Sequence, residues 1–197
     1  MQTVTPVLCY DTAMNLHLST EYPESTTDGA GIRYSVYTQG CRGGMFAPGV
    51  ISNCKGCQNP ETWSFAEDAP GSYFISTGDL VKKIQKHKFS WGRLTLCGGD
   101  PIWQAPACIE LIQNLKQFKV DYNVWAYTGL KFEWILEKAD AENRWRKYLE
   151  SIDVLIDGPF ILSQRDITLP WRGSSNQRVI DVPATLKTGT VTLVETD

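Results

Sequence analysis

The chain has 197 residues, 42% of them apolar and 21% charged, with a formal charge of −3. These are ordinary values for a globular protein long enough to bury a real core, so residues 1–197 read as a single domain. The lack of a basic excess argues against a general nucleic-acid or membrane-surface binder, and no stretch approaches the roughly 20 apolar residues of a membrane span.

The opening stretch MQTVTPVLCYDTAMNLHLST has no basic segment followed by an apolar run, so no secretory signal is predicted. Six cysteines without such a signal point to a reducing, cytoplasmic setting. There, metal binding or redox chemistry outranks a disulfide framework. Residues 1–25 give no clear element, and Cys9 no role.

No internal repeat or low-complexity linker interrupts the chain. IRYSVYTQG (32–40) mixes β-branched and aromatic residues and ends at Gly40, which predicts a strand running directly into Cys41. TGDLVKKIQKHKF (77–89) predicts a helix capped at Thr77 or Asp79. RLTLCGGDP (93–101) reads as a short buried strand broken by two glycines and an Asp-Pro. The next segment, APACIELIQNLKQF (105–118), is an amphipathic helix with Ile109, Ile112, Leu115 and Phe118 on one face. NVWAYTG (123–129) is the next strand, 131–150 the next helical region, and IDVLIDGPF (152–160) a further, almost wholly apolar strand.

Strands alternating with helices predict parallel βαβ units, and continuous apolar strands fit a sheet covered on both faces. In such folds the loops after the strands carry the chemistry. Cys41, Gly98-Gly99-Asp100, Thr128-Gly129 and Asp157-Gly158 all fall at that edge.

The segment CRGGMFAPGVISNCKGC (41–57) holds three cysteines in a C-x12-C-x2-C pattern. Three thiolates leave a structural zinc one ligand short unless Cys97, Cys108, His17 or His87 completes it. A [4Fe–4S] cluster held by three cysteines keeps one iron open for a ligand. Spacing alone leaves both readings standing, along with unrelated free thiols.

The surrounding residues carry a resemblance. DGAGIRYSVYTQGC (28–41), CKGCQNPETW (54–63), LCGGDPI (96–102), VWAYTG (124–129) and DVLIDGPF (153–160) resemble, in order, the motifs of radical S-adenosylmethionine (SAM) activases of glycyl radical enzymes. LPWRGSSNQRVID (169–181) is similar to the branch that activates the anaerobic (class III) ribonucleoside-triphosphate reductase. The matches span about 28–181. The resemblance implies an α/β fold, a partial (incomplete) βα barrel with a mostly parallel sheet, and a core over those residues. Gly56 stands where many radical SAM enzymes place an aromatic residue, and the reductase-activating branch has glycine there.

By the same resemblance, Cys41, Cys54 and Cys57 ligate a [4Fe–4S] cluster, and SAM chelates the fourth iron. Gly98, Gly99 and Asp100 receive the methionine end of SAM, with Asp100 accepting from its ammonium group. Tyr37, Gln39, Tyr127 and Thr128 line the SAM pocket. Arg172, Ser174, Asn176, Gln177 and Arg178 complete the SAM site, meet the partner, or simply form a hydrogen-bonded loop. The implied activity is reductive SAM cleavage and hydrogen abstraction from a glycine of the reductase, with electrons from a flavodoxin or ferredoxin-type donor. Two alternatives remain: a radical SAM enzyme acting on a small molecule or peptide, such as a 7-carboxy-7-deazaguanine synthase, and a non-catalytic zinc-binding module.

The family usually spaces these cysteines CxxxCxxC, so this chain carries nine extra residues in the first gap. Ligation fixes where the sulfurs sit, not the path between them, and such an extension costs roughly 1 kcal/mol of loop-closure entropy. Gly43, Gly44, Pro48 and Gly49 supply turns that let the loop bulge outward and return.

Overall fold

The computed structural model describes residues 13–118 and 120–195, so Cys9 lies outside the described residues. Its centre is an eight-stranded sheet built from β1 (Asn15–Ser25), β2 (Arg33–Thr38), β5 (Tyr73–Ser76), β6 (Arg93–Gly98), β7 (Asn123–Tyr127), β8 (Val154–Asp157), β9 (Arg178–Asp181) and β10 (Thr192–Leu193). The strand order is β10-β9-β8-β7-β6-β2-β1-β5. Its middle, β2-β6-β7-β8, is parallel throughout, and the strands outside it pair antiparallel. A separate hairpin of β3 (Gly44–Ala47) and β4 (Val50–Ser52) lies between the first two clustered cysteines.

The parallel strands are where the sequence expects them, as β-branched and aromatic residues in short runs suit a sheet covered on both faces. All four residues of β8 are buried. Alternate side chains go to opposite faces. Val124, Ala126, Leu155 and Ile180 join the helix-covered core with Leu94 and Leu96, whereas Trp125, Val154, Ile156 and Val179 form a smaller cluster on the other face. Trp171 packs edge-on to Trp125 at 4.9 Å in that second cluster.

Helices α1 (Thr77–Ile84), α2 (Ala105–Lys116), α3 (Phe132–Glu137), α4 (Trp145–Leu149) and α5 (Val182–Thr188) complete the fold. In α2, Pro106 occupies the first turn, where its missing N–H is no loss, and Ile109, Ile112 and Leu115 are buried as expected. Phe118 lies past the helix end and is exposed, contrary to expectation. Helix α1 is shorter than 77–89, and its cap is Ser76, whose hydroxyl accepts from the Asp79 N–H at 3.0 Å.

The expected helical region 131–150 is instead two short helices. Asp140 Oδ1 accepts from the N–H groups of Glu142 and Asn143, and Asn143 Oδ1 accepts from those of Asp140 and Trp145. These side chains capture donors that a continuous helix would use itself, and Arg144 turns left-handed at φ 56°.

Strand β1 lies in a stretch that gave no reading because Pro23 and two register irregularities break its alternation. It nevertheless bridges β2 and β5. No helix among the described residues is long and apolar enough to cross a membrane.

Candidate functional site

The chain leaves β2 at Thr38 and is pinned at once. The Gln39 side-chain amide donates to the carbonyls of Glu61 (3.1 Å) and Ser64 (2.9 Å). The N–H groups of Gly40 and Cys41 donate to the carbonyls of Thr62 and Trp63. Cys41 is thereby tied to the segment that follows Cys57.

Between these points the inserted residues fold into the β3–β4 hairpin. Pro48-Gly49 forms its tip, since Ala47 pairs with Val50, and Gly44 pairs with Ser52 at its base. The extra length is thus spent on an out-and-back excursion that returns the chain beside its start. The base is anchored by the Met45 N–H, which donates to the Gly129 carbonyl at 2.8 Å, and by the Met45 side chain in the core.

Cys54-Lys55-Gly56-Cys57 is a tight turn closed by the Cys57 N–H donating to the Cys54 carbonyl at 3.1 Å. Gly56, third in the turn, sits at φ +75°, a conformation that glycine adopts without strain. That is a local reason for glycine here, independent of any resemblance.

All three sulfurs line one cavity of about 640 Å³ at the C-terminal ends of the parallel strands. The volume lies within the range of small-molecule sites. Backbone donors surround the sulfurs: Gly43 N–H reaches Cys41 Sγ at 3.2 Å, Asn59 N–H reaches Cys57 Sγ at 3.4 Å, and Phe160 and Gly44 direct N–H groups at Cys54. Donors of this kind stabilise thiolate charge and tune a cluster. Burial, then Asp100 and the neighbouring thiols, pushes the Cys41 thiol up to about 12, and burial raises Cys54 as well. Metal ligation must therefore displace protons from these groups. Among the described residues no three His, Cys, Asp or Glu side chains draw close enough to hold a single metal ion. Three thiols spread along one cavity wall, each with backbone donors, fit the wider [4Fe–4S] group.

Residues 27–180 match the family model described as a 4Fe-4S single cluster domain. The anaerobic ribonucleoside-triphosphate reductase-activating protein of Haemophilus influenzae is 32% identical over 160 residues, covering 79% of this chain and 92% of that protein. The chain belongs to this family of activating proteins. The Vibrio cholerae relative of the same description is 32% identical over 83% of this chain and 96% of its own length. That of Enterobacteria phage T4 is 36% identical over 71% of this chain and 83% of its own. Among solved structures, QueE from Escherichia coli matches at 18% identity and a TM-score of 0.41, over 58% of this chain and 52% of that one.

Within this family member, the expected site residues divide into two groups. Gly98, Gly99, Tyr37, Tyr127, Thr128, Arg172 and Gln177 line the cavity together with the cysteines. A Cβ at Gly99 would lie 2.5 Å from the Gly40 carbonyl oxygen, so only glycine lets β6 pass this close to the cysteine-bearing strand end. Tyr37 donates to the Asp28 carboxylate at 3.1 Å, and Tyr127 to the Trp171 carbonyl at 2.6 Å. Both hydroxyls thus fasten the wall.

Asp100, Gln39, Ser174, Asn176 and Arg178 are not on the cavity wall. Asp100 is buried, and its carboxylate already accepts from Thr128 Oγ1 (2.8 Å), Gly129 N–H (3.0 Å) and Ile102 N–H (3.2 Å). Burial lifts it to about 6 against those bonds. It ties the end of β6 to the end of β7.

Arg178 binds Asp157 (Nε to Oδ1, 2.9 Å) and Glu133 (Nη1 to Oε1, 2.9 Å), which holds its guanidinium charged. Ser174 Oγ accepts from Ile161 N–H, and Asn176 donates to the Pro159 carbonyl at 2.8 Å. This loop is mostly a hydrogen-bonded clasp that fixes the segment after β8. Two of its atoms are buried without a protein partner, Arg172 Nε–H and Asn176 Oδ1, while Arg172 Nη1 donates to the Gln177 carbonyl at 3.4 Å.

Cys108 is fully buried. Cys97 is buried too, but it borders the cavity beside Tyr37, a position its apolar strand did not suggest. Asp28, Phe160, Leu169 and Trp171 also line the cavity. All four lie within the quoted segments 28–41, 153–160 and 169–181, but none was assigned to the site from the sequence.

Proposed function

We infer that this protein is the activating enzyme of an anaerobic ribonucleoside-triphosphate reductase, an iron–sulfur, SAM-dependent oxidoreductase. The reading is supported most by one observation: three cysteine thiols converge on a single cavity at the parallel-strand ends in a chain whose relatives of that description match it over most of their length. These relatives favour the activase over the small-molecule enzyme and the zinc module.

In this reading Cys41, Cys54 and Cys57 hold the cluster, and their backbone N–H donors spread the negative charge. When bound, the cluster supplies the electron that cleaves SAM to a carbon radical able to take hydrogen from a glycine of the reductase. Gly98 and Gly99 give SAM a wall without side chains. The free Nε–H of Arg172 offers a charge-assisted bond to a carboxylate. Trp63, Phe160, Leu169 and Trp171 provide apolar surface that keeps water from the cavity. Asp100 and the 172–178 clasp position the wall.

The open sheet, with its cavity at one edge of four parallel strands, suits an incomplete barrel, and residues 1–197 act as one domain with a core at about 28–181. The setting is cytoplasmic, the electron donor a flavodoxin or ferredoxin, and neither nucleic acid nor membrane is a partner.

The test is anaerobic electron paramagnetic resonance of the cluster-loaded protein with SAM, a reductant and the class III reductase of the same organism. A glycyl radical doublet that requires every component is expected. A reduced-cluster signal with SAM cleavage but no glycyl radical would move the function to another substrate.

A further inference from the structure

Besides the clustered cysteines, the cavity is lined by a further thiol, Cys97, and by two phenols, Tyr37 and Tyr127. Sulfur–hydrogen and phenolic oxygen–hydrogen bonds are similar in strength, and both are weaker than the C–H bond that a primary carbon radical forms. Groups of either kind on the wall of such a cavity are therefore sinks for a radical that finds no substrate.

Cys97, Tyr37 and Tyr22 lie in one row across the neighbouring strands β6, β2 and β1. Tyr37 pairs with Cys97 on one side and with Thr20 on the other, so Tyr22, two residues beyond Thr20, is its diagonal neighbour on the same face. The two tyrosine rings meet edge-on with centroids 5.2 Å apart. The Tyr37 hydroxyl also interacts with the Cys97 sulfur. At the inner end Cys97 is 6% exposed, with its thiol donating to the Val36 carbonyl; at the outer end Tyr22 is 53% exposed. The row runs from the cavity to solvent.

A path for protons accompanies it. The Tyr37 hydroxyl donates to both oxygens of Asp28, at 3.1 and 3.2 Å. Burial, then Cys97 and Asp28, push its phenol well above the usual tyrosine range, so Tyr37 exchanges an electron only together with a proton. Asp28 is half-buried and links that hydroxyl to solvent. Tyr127 donates to a backbone carbonyl, which is no base, and has no such path.

We propose that Cys97, Tyr37 and Tyr22 form a relay that drains an unspent radical from the cavity to the surface when no substrate glycine is bound. The proposal rests on the activase reading above. Cys97 gives its hydrogen atom to the carbon radical: the S–H bond breaks, a C–H bond forms and the sulfur is oxidised. Tyr37 returns a hydrogen atom to the sulfur and becomes a phenoxyl. Tyr22 then passes one electron across the ring contact and loses its proton to solvent, while Asp28 conducts a solvent proton to Tyr37. A small-molecule thiol restores Tyr22 by giving up a hydrogen atom, and two oxidised thiols couple to a disulfide. The burial of Cys97 leaves a bound glycine the nearer target.

The test uses the cluster-loaded full chain, reduced, freed of excess reductant and mixed with SAM without the reductase. Freeze-quench electron paramagnetic resonance is read beside the yield of 5′-deoxyadenosine. The wild type should show a tyrosyl signal that narrows with ring-deuterated tyrosine, disappears when glutathione is added, and is suppressed by the reductase. Cys97→Ser keeps the side-chain size but substitutes a stronger O–H bond, and should lose the signal per SAM cleaved. Tyr22→Phe should keep its iron and its SAM cleavage, retain a signal on Tyr37, and lose the quenching by glutathione. SAM cleaved by the wild type with no tyrosyl signal would overturn the relay. So would an undiminished signal in Cys97→Ser, or full glutathione quenching in Tyr22→Phe. SAM left uncleaved by the wild type would instead overturn the activase reading.

Discussion

Two segments meet at the cavity and obey opposite rules. At Gly98-Gly99-Asp100 every atom is committed: a Cβ at Gly99 has no room, and the Asp100 carboxylate accepts three bonds from two other elements. At 41–57 only the ends are committed. Cys41 is tied to Trp63 and Cys54 is followed by a closed turn, while the path between them runs out along an exposed hairpin. A motif is constrained where its backbone must fit against other backbone, and it is free where it only has to deliver a sulfur. That is why nine additional residues in the first gap leave the three thiols on one wall.

The contrast can be broken at several points. The largest effect is expected at a delivered sulfur: Cys54→Ala should reduce iron retention and SAM cleavage to background, yet lower the unfolding free energy from urea titration by less than about 1 kcal/mol. Gly99→Ala should do the reverse, destabilising the fold by about 3 kcal/mol because backbone on both sides must move. Unfolding curves of the two variants, read beside iron content, separate delivery from fit.

Asp100→Ala leaves a hydroxyl and two N–H donors without their acceptor and should cost about 2 kcal/mol, with Asp100→Asn recovering part of it. The native carboxyl also sets a pH signature. Because burial lifts it to about 6, its contribution to stability is complete below the ordinary carboxylate range and falls as pH rises through about 6. Thermal melts of the metal-free chain across that window should show the decline, and Asp100→Asn should flatten it.

The smallest effect belongs to the hairpin tip. Replacing Pro48-Gly49 with Asn-Gly should change stability by less than about 1 kcal/mol and leave iron content intact. A large loss of iron there would mean that the excursion shapes the ligand set.

Much of this was legible in the sequence, and the exceptions have physical reasons. Strands β2, β6, β7 and β8 were readable because each is a short run rich in β-branched, aromatic or aliphatic residues that is followed by glycine or an Asp-Gly pair. The cysteines were readable because ligands announce themselves by type and spacing. The turn-anchoring bonds of Asp100 were not legible because a carboxylate after two glycines suits a ligand contact and a turn anchor equally well, and its three donors come from Ile102, Thr128 and Gly129. Arg178, Ser174 and Asn176 find their partners at Asp157, Ile161 and Pro159, around the end of β8. No local pattern reveals those pairings. The break near 140–144 was hidden because Asp and Asn inside an otherwise periodic segment act through their own backbone bonds, not through periodicity.

The account stands most directly on the claim that Cys41, Cys54 and Cys57 hold one [4Fe–4S] cluster across the long gap. Iron and sulfide analysis of the anaerobically reconstituted chain, joined to electron paramagnetic resonance of its reduced form with and without SAM, measures this. The account predicts about four irons and about four sulfides per chain, a reduced-cluster signal that changes when SAM binds, and loss of both in each single cysteine variant. Zinc without sulfide, or a cluster retained when Cys41 is replaced, would contradict it.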